Sequence, residues 1–586
     1  MSSFSSNEVT AVLLLGVANH VLFHRYEPSR SNLGFAILVL AVQPLLLFLY
    51  LLFHSSQTIP FESHTNTLLP LLRIYTSFYL TLATSIALYR LSPFHPLAKV
   101  PGPTLAKVSK LWGLWACSTG RQHMINKQLH DKYGSTVRTG PNEISTIDLS
   151  AISAVLGASG LPKGQWYSVR QDLRAPKSLL SLSGDEHASR RKLWNRGLSW
   201  EALREHERDL WKRVEELSDA IAFWEEGQGQ GQGQSGKGIV DIGRWFEYFT
   251  FDFMGEMAFG HGSQMVKEGG DKAGLLKELK KFSWIRAFLS HVPWTFQLAH
   301  KLPFTSHQLL SVRDYGMVCA QRRVQEGATK KDLWYYLNDE ASLEKTEPPL
   351  SNVLADGMVA VLAGSDTAAG VMTIVLWCLL AHPEWYTRVE SEIDMAIGEN
   401  LEEGFEYSEL AKKLPCLQAC ITESLRLFPA VPTNGPRQVP VGSGGRVISG
   451  FFLPECTQVY VPPYAIHRSP TYFSPAPEDF VPERWMTSTS TIPPPSVPLS
   501  ERSSEEHTYT YTYTTNQNAF LAFSFGPANC VGKNLAKMQI TLVLALLMKR
   551  FRFKFAPSFD WETWPGRLQD FFVVHRDPLY VEMVAR

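Results

Sequence analysis

Three apolar stretches open the chain, at residues 9–23, 33–53 and 74–89. About 20 apolar residues in a helix cross a hydrocarbon layer of about 30 Å. The second stretch reaches that length alone, and the first and third lie near its short end. Asn19 and His20 weaken the first. Arg25 and Arg30 lie between the first and second, no Lys or Arg lies between Phe53 and Arg73, and Arg90, Lys99, Lys107 and Lys110 follow the third. The positive-inside rule then predicts three spans, with the N-terminus outside and everything after Arg90 in the cytosol. Residues 1–8 carry no Lys or Arg, which speaks against a cleaved signal peptide.

Beyond residue 91 the pattern changes. Residues 92–103 hold four prolines, cannot form a regular helix, and read as a stiff connector. The apolar run 353–380 is too long for a strand, has no proline before Pro383, and predicts a helix. Gly364, Asp366 and Thr367 interrupt its wall of Val, Leu, Met and Trp. Residues 417–427 and 534–547 also read as helices, and another begins at His187 after a turn at 183–186. The stretch 282–304, with Trp284, Ile285, Phe288, Leu289, Trp294 and Phe296, reads equally as a buried core helix or as a segment touching a membrane. Two low-complexity inserts, 225–238 (Gly/Gln-rich) and 486–517 (Ser, Thr, Pro and Tyr-rich), read as mobile surface loops without chemistry. No internal repeat is present.

A length of 586 residues would by itself suggest two to four domains. The formal net charge is zero, so no global pull toward nucleic acid exists. Aromatics at 12%, with 16 Trp, suit a large apolar core and an apolar pocket. Seven scattered cysteines imply no disulfide framework and a reducing compartment for the main domain. Cys416 and Cys420 read as core-facing, since no second Cys/His pair lies near.

The candidate chemistry centres on Cys530, in the run Phe-Ser-Phe-Gly-Pro-Ala-Asn-Cys-Val-Gly at 523–532. Gly526 and Gly532 let the backbone bend and approach a flat group closely. The helix after them aims its N-terminal N–H groups at the sulfur, which favours a thiolate. Such a sulfur suits an axial ligand of haem iron. The spacing Phe523, Gly526, Cys530, Gly532 resembles the haem-binding loop of the cytochrome P450 family. Further motifs occur in that family's order, and the resemblance covers about residues 92–586.

The resemblance implies a mainly α fold with a minor β portion behind an N-terminal transmembrane anchor. On that division residues 1–91 are the anchor, 92–103 a hinge and 104–586 the haem-thiolate catalytic domain. Ala363-Gly-Ser-Asp-Thr-Ala368 is similar to the oxygen-activation motif. A threonine that bonds back to the preceding turn loosens a helix locally. The resemblance uses that loosening as a groove in which Asp366 and Thr367 relay protons. Glu423 and Arg426, at i and i+3, share one helix face. In the family this pair is buried and joined by a later arginine, here Arg484. The three are implied to be structural, and losing one partner should cost about 3–5 kcal/mol. His187 stands where the family often has Trp, and with Arg191 and Arg437 it is implied to hold the haem propionates. Ala528 replaces the arginine common at that place, which removes one such contact.

The function that the resemblance implies is that of a membrane-bound haem-thiolate monooxygenase. Such an enzyme inserts one oxygen atom of O2 into a lipophilic small molecule by hydroxylation or epoxidation. Implied cofactors are haem b, O2 and NADPH-derived electrons. No Gly-x-Gly-x-x-Gly is placed after a strand, so electrons are expected from a partner, a reductase-type flavoprotein in the membrane. Arg190, Lys192, Lys533 and Lys537 are expected to form its docking patch. The expected location is multi-pass in the endoplasmic reticulum, with the catalytic domain in the cytosol and no nucleic-acid partner. Pocket walls are expected from 161–182, 282–304, 431–434 and 570–574. Terpenoid, polyketide, fatty acid and aromatic hydrocarbon substrates stay open, as do biosynthetic and xenobiotic roles. The rivals are a haem-thiolate isomerase or dehydratase that needs no reductase, and a non-catalytic haem-binding membrane protein. A transporter fragment does not fit the charged, proline-rich chain after Arg90.

Overall fold

The computed structural model describes the chain except residues 1–5, 26–32, 57–67, 171–175, 226–237, 296–302, 328–329, 399–405, 487–488 and 491–510. The chain divides into two compact units, residues 1–112 with 138–142 and residues 113–137 with 143–586.

In the first unit the helices Ser6–Arg25, Leu33–Ser56 and Leu68–Leu91 pack through Val12, Phe48, Ile74 and Phe78. Leu14, Leu38, Phe53, Leu80 and Leu88 stay exposed on their outer faces. Such an exterior suits lipid rather than water. The polar residues that weaken the first apolar stretch bond across helices instead. Asn19 Nδ2 donates to Gln43 Oε1 at 2.6 Å, and His20 Nδ1 lies 2.7 Å from Ser85 Oγ. In an apolar setting such groups join helices. Among the described residues Leu68–Leu91 is long and apolar enough to cross a membrane, whereas the apolar parts Val9–Arg25 and Ala36–Leu51 are shorter. The sequence ranks the second stretch as the longest. In the structure the second and third helices are equally long, 24 residues each, and the third exceeds its apolar stretch because it starts six residues before Ile74, ahead of Arg73.

The connector runs in turns between Leu91 and Thr104, as its prolines require. Arg138 is fully buried beside it and donates to the Arg90 carbonyl at 3.1 Å and to the Pro141 carbonyl at 3.2 Å. Burial, then the charges of Arg138 and Arg90, lowers the pKa of His95 to about 4. The ring is therefore neutral where Arg138 meets its Nε2 at 3.2 Å.

The second unit is mainly helical with small sheets. Its long helix Leu350–Ala381 passes a membrane test by composition, but 67% of its apolar window is buried, so it is a core helix. Helix Ile242–Phe259 packs along it, with Pro415–Leu427 and Lys533–Arg550 on other sides. Strand Gln458–Tyr460 pairs in parallel with Glu143–Thr146 and antiparallel with Arg437–Gln438. Phe551–Phe555 buries Phe551 and Phe553 and exposes Arg552 and Lys554, the alternation of a half-buried strand. The structure shows no disulfide among the described cysteines, and Cys420 is fully buried.

One expectation is corrected at the ends of the second insert. Tyr511–Thr512 pairs with Thr489–Ser490, Thr514–Thr515 pairs with Phe473–Ser474, and Tyr513 is buried with Arg484 5.6 Å from its ring. The middle of that insert and most of the 225–238 insert lie outside the described residues.

Candidate functional site

A cavity of about 450 Å3 lies inside the second unit, and all four expected walls contribute to it. Lys163, Tyr167 and Leu179 come from the first wall, and Phe282, Ser283 and Arg286 from helix Leu275–His291. Val431 and Asn434 form the third wall, and Phe572 and Val573 the fourth. On helix Leu275–His291, Trp284 is 44% exposed while Ala287 and His291 are buried, so the segment is amphipathic rather than wholly buried. Trp294 and Phe296 lie outside the described side chains. Three non-glycine residues with left-handed backbone line the cavity: Asn434 at φ 63°, Ser524 at 61° and Phe572 at 82°. Such conformations persist only where the surroundings enforce them, and they cluster at functional sites.

Cys530 is accessible from this cavity, deep inside the protein. Its N–H donates to the Phe523 carbonyl at 2.9 Å, and the Asn529 N–H to the Gly526 carbonyl at 3.1 Å, which closes the loop as a tight double turn. Helix Lys533–Arg550 begins just after it. The two loop glycines differ. Gly526 has φ 73°, does not line the cavity, and a Cβ there would lie 2.1 Å from the Leu156 carbonyl oxygen. Its bareness lets the loop pack against Leu156 and Gly157. Gly532 has φ −82° and open space where a Cβ would stand, and it does line the cavity. Burial raises the thiol pKa of Cys530 despite the Gly532 N–H and the charges of Arg191 and Lys533, which pull it down. The expected dominance of the helix end is therefore corrected: desolvation outweighs it, and a metal cation would have to hold the thiolate.

A basic edge borders the loop. Lys163, His187, Arg191 and Arg437 all line the cavity. Arg191 donates to the Asn529 carbonyl at 2.6 Å and to its Oδ1 at 2.7 Å, so it braces the residue before Cys530. Arg437 is buried, and its Nε has no partner among the described residues. Burial, then Lys163, Arg191 and Arg437, lowers His187 to about 4. Buried cations without an anion are costly. This edge fits the carboxylates of a porphyrin, and the thiol fits its metal.

The long helix supplies another wall. Asp366 and Thr367 face the cavity, and the helix stays α-helical through them, with no break at the expected loosening. Thr367 Oγ1 donates to the Ala363 carbonyl at 2.6 Å. Burial raises the pKa of Asp366, against the charges of His575 and Arg576. Nearby, Glu247 binds Lys280 Nζ at 2.7 Å and Arg576 at 3.1 Å. Burial would raise Glu247, but those cations hold it below the usual carboxylate range.

Behind the loop, Glu423 is fully enclosed. Arg426 binds it in a fork with two 2.8 Å bonds, and Arg484 Nε joins at 3.1 Å. The Val481 N–H and Trp485 Nε1 complete its shell at 2.9 Å each. Burial opposes ionisation, yet the two arginines keep the carboxyl below its usual pKa. None of the three lines the cavity. They act at a distance through His467, whose Nδ1 donates to the Arg426 carbonyl at 2.9 Å while Nε2 accepts from the Leu521 N–H at 2.8 Å. Leu521 lies two residues before Phe523, so this imidazole joins the ionic core to the cysteine loop.

Sequence reading misses Lys163, Glu247, Lys280 and His467, because no local spacing marks them. It also places Arg190 in a docking patch, whereas Arg190 is paired at 3.0 Å with Asp356, whose side chain is 1% exposed. Among the remaining three, Lys533 is exposed, and Lys192 is exposed beside Glu344 at 2.9 Å.

The family model for cytochrome P450 matches residues 101–583. A cytochrome P450 monooxygenase of Fusarium pseudograminearum is 32% identical over 510 residues, covering 86% of this chain and 85% of its own. A cytochrome P450 of Uromyces fabae is 30% identical over 557 residues, 94% of each chain. The tryprostatin B 6-hydroxylase of Aspergillus fumigatus is 27% identical over 521 residues, covering 86% of this chain and 84% of its own.

Proposed function

The chain belongs to the cytochrome P450 family and is a monooxygenase of it, and we propose that it oxidises a lipophilic small molecule by hydroxylation or epoxidation, as a tailoring step of secondary metabolism. The observation that carries this reading is one cavity shared by the Cys530 sulfur, a basic edge and the Asp366–Thr367 pair. The name of the tryprostatin B 6-hydroxylase supports hydroxylation of a small molecule. Terpenoid tailoring and xenobiotic oxidation both remain compatible with the apolar walls.

In this reading the Cys530 sulfur would hold the iron of haem b, with Phe523 and Gly532 beside it in the loop. His187, Arg191 and Arg437 would hold the porphyrin carboxylates. The haem supplies the one-electron and O2 chemistry. Asp366 retains its proton to higher pH than an exposed aspartate, which suits a proton donor. Thr367 has its proton engaged with Ala363, which leaves its oxygen free to accept from water. Leu279, Phe282 and Val371 keep the rest of the cavity dry and receive an apolar substrate. Glu423, Arg426 and Arg484 hold the loop in place from behind.

Electrons come from an NADPH-dependent flavoprotein, with Lys192, Lys533 and Lys537 as the basic contact. Leu68–Leu91, with the two helices before it, anchors the protein in the endoplasmic reticulum and leaves the second unit in the cytosol. The test is turnover with reductase, NADPH and 18O2 over a panel of lipophilic compounds. One 18O atom in the product supports the reading. Product formed without O2 or reductase overturns it in favour of an isomerase or dehydratase.

A further inference from the structure

We infer that Lys163 anchors a carboxylate of the bound porphyrin and supplies the charge that position 528 lacks. This rests on the haem reading above. The backbone places Lys163 at the meeting point of the basic groups. It forms an isolated antiparallel bridge with Arg437, beside a Gln438 N–H bond to the Pro162 carbonyl at 2.9 Å. Its own N–H donates to Ser183 Oγ at 3.0 Å, directly before the helix that carries His187 and Arg191. Lys163 is thus tied to both segments that bring cations to the cavity.

The charge balance of this edge is incomplete without an anion. No carboxylate pairs with Lys163, His187, Arg191 or Arg437 among the described residues, and all four line the cavity together with Ala528. Burial first, and then the charges of Arg437 and Arg191, lowers Lys163 to about 7, a shift that a carboxylate beside it would oppose. Arg191 already spends two bonds on Asn529, whereas Lys163 Nζ donates only to the Leu179 carbonyl, at 3.0 Å, among the described residues. A porphyrin brings two carboxylates, and Lys163 adds a cation to Arg437 and to Arg191, which also braces the loop. Ala528 lines the same cavity as Lys163, so Lys163 can supply the charge that an arginine at 528 would bring.

The test uses full-length holoprotein and follows haem transfer to excess apomyoglobin, with the reduction potential measured alongside. K163M should lose haem about tenfold faster, the loss of one hydrogen bond to a charged group, and its potential should move to more negative values. K163R should match the parent in both. K163Q, which keeps a donor for the Leu179 carbonyl, should behave like K163M, since a merely structural lysine would be rescued by it. The double variant K163M/A528R should recover slow haem loss. Unchanged haem loss and potential in K163M, or full rescue by K163Q, overturns the inference. A thiolate-type carbonyl spectrum in the parent alongside those results leaves the haem reading intact, whereas its absence in the parent removes that reading itself.

Discussion

The two glycines on either side of Cys530 do different work, and single substitutions separate them. At Gly526 a methyl group meets the Leu156 carbonyl oxygen at 2.1 Å on backbone with φ 73°. Neither backbone can give way, so G526A should cost at least about 2–3 kcal/mol and strip the haem. G532A meets nothing within 4 Å at an ordinary φ of −82°. It should change the apoprotein's stability by less than about 0.5 kcal/mol. Thermal unfolding and haem content of the two variants check this, and equal damage in both would contradict it. At this scale Cys530, Asp366, Thr367, Glu423 and Arg437 were legible because their neighbours in sequence fix their register. Lys163 and His467 were not. The first gains its place by a backbone bridge to Arg437, and the second by bonds to Arg426 and Leu521, all distant in the chain. The direction of the Cys530 pKa was hidden as well, since a sequence displays the helix end but not the desolvation.

The helix Leu350–Ala381 was visible as one unbroken apolar run, while its partner helix Ile242–Phe259 and the ion pairs between elements were not. That partner brings Glu247, with Lys280 and Arg576, close enough to influence Asp366. A carboxyl with a raised pKa keeps its proton to higher pH and loses it as pH rises through that value. Oxidation that draws a proton from Asp366 should therefore slow on the alkaline side. D366N should be at least about tenfold slower and flat over the same range. Rates of coupled product formation against pH check this, and a parent-like alkaline limb in D366N would contradict it. At the N-terminal end the hydropathy pattern predicts all three helices, and the third starts before its apolar stretch because Arg73 interrupts the pattern within Leu68–Leu91. Asn19 and His20 interrupt the first stretch and pair with Gln43 and Ser85 on the neighbouring helices.

Across the second unit, buried neutral imidazoles set the acid limit. Burial lowers His123 and His467 to about 3 and His130 to about 4, from 6.5. Their unfolded forms bind protons below about pH 6.5 while the folded forms do not. Their stabilising share is complete above that pH and declines as pH falls toward 4. The thermal midpoint should drop steadily across this window, and H130N should show a shallower slope. A flat profile would contradict it. The mainly α fold with small sheets was implied by the family resemblance that the motifs carry, whereas the grouping of residues 92–112 with the N-terminal helices was not, because it rests on contacts such as Arg138 with Arg90. On the proposed function, the whole molecule holds a cofactor by the sulfur of Cys530 inside its cavity. The most direct measurement is the optical spectrum of dithionite-reduced protein with and without carbon monoxide, beside C530A. A strongly red-shifted Soret band that C530A lacks is the predicted result. A globin-like carbonyl band, or folded protein without haem, would contradict the account.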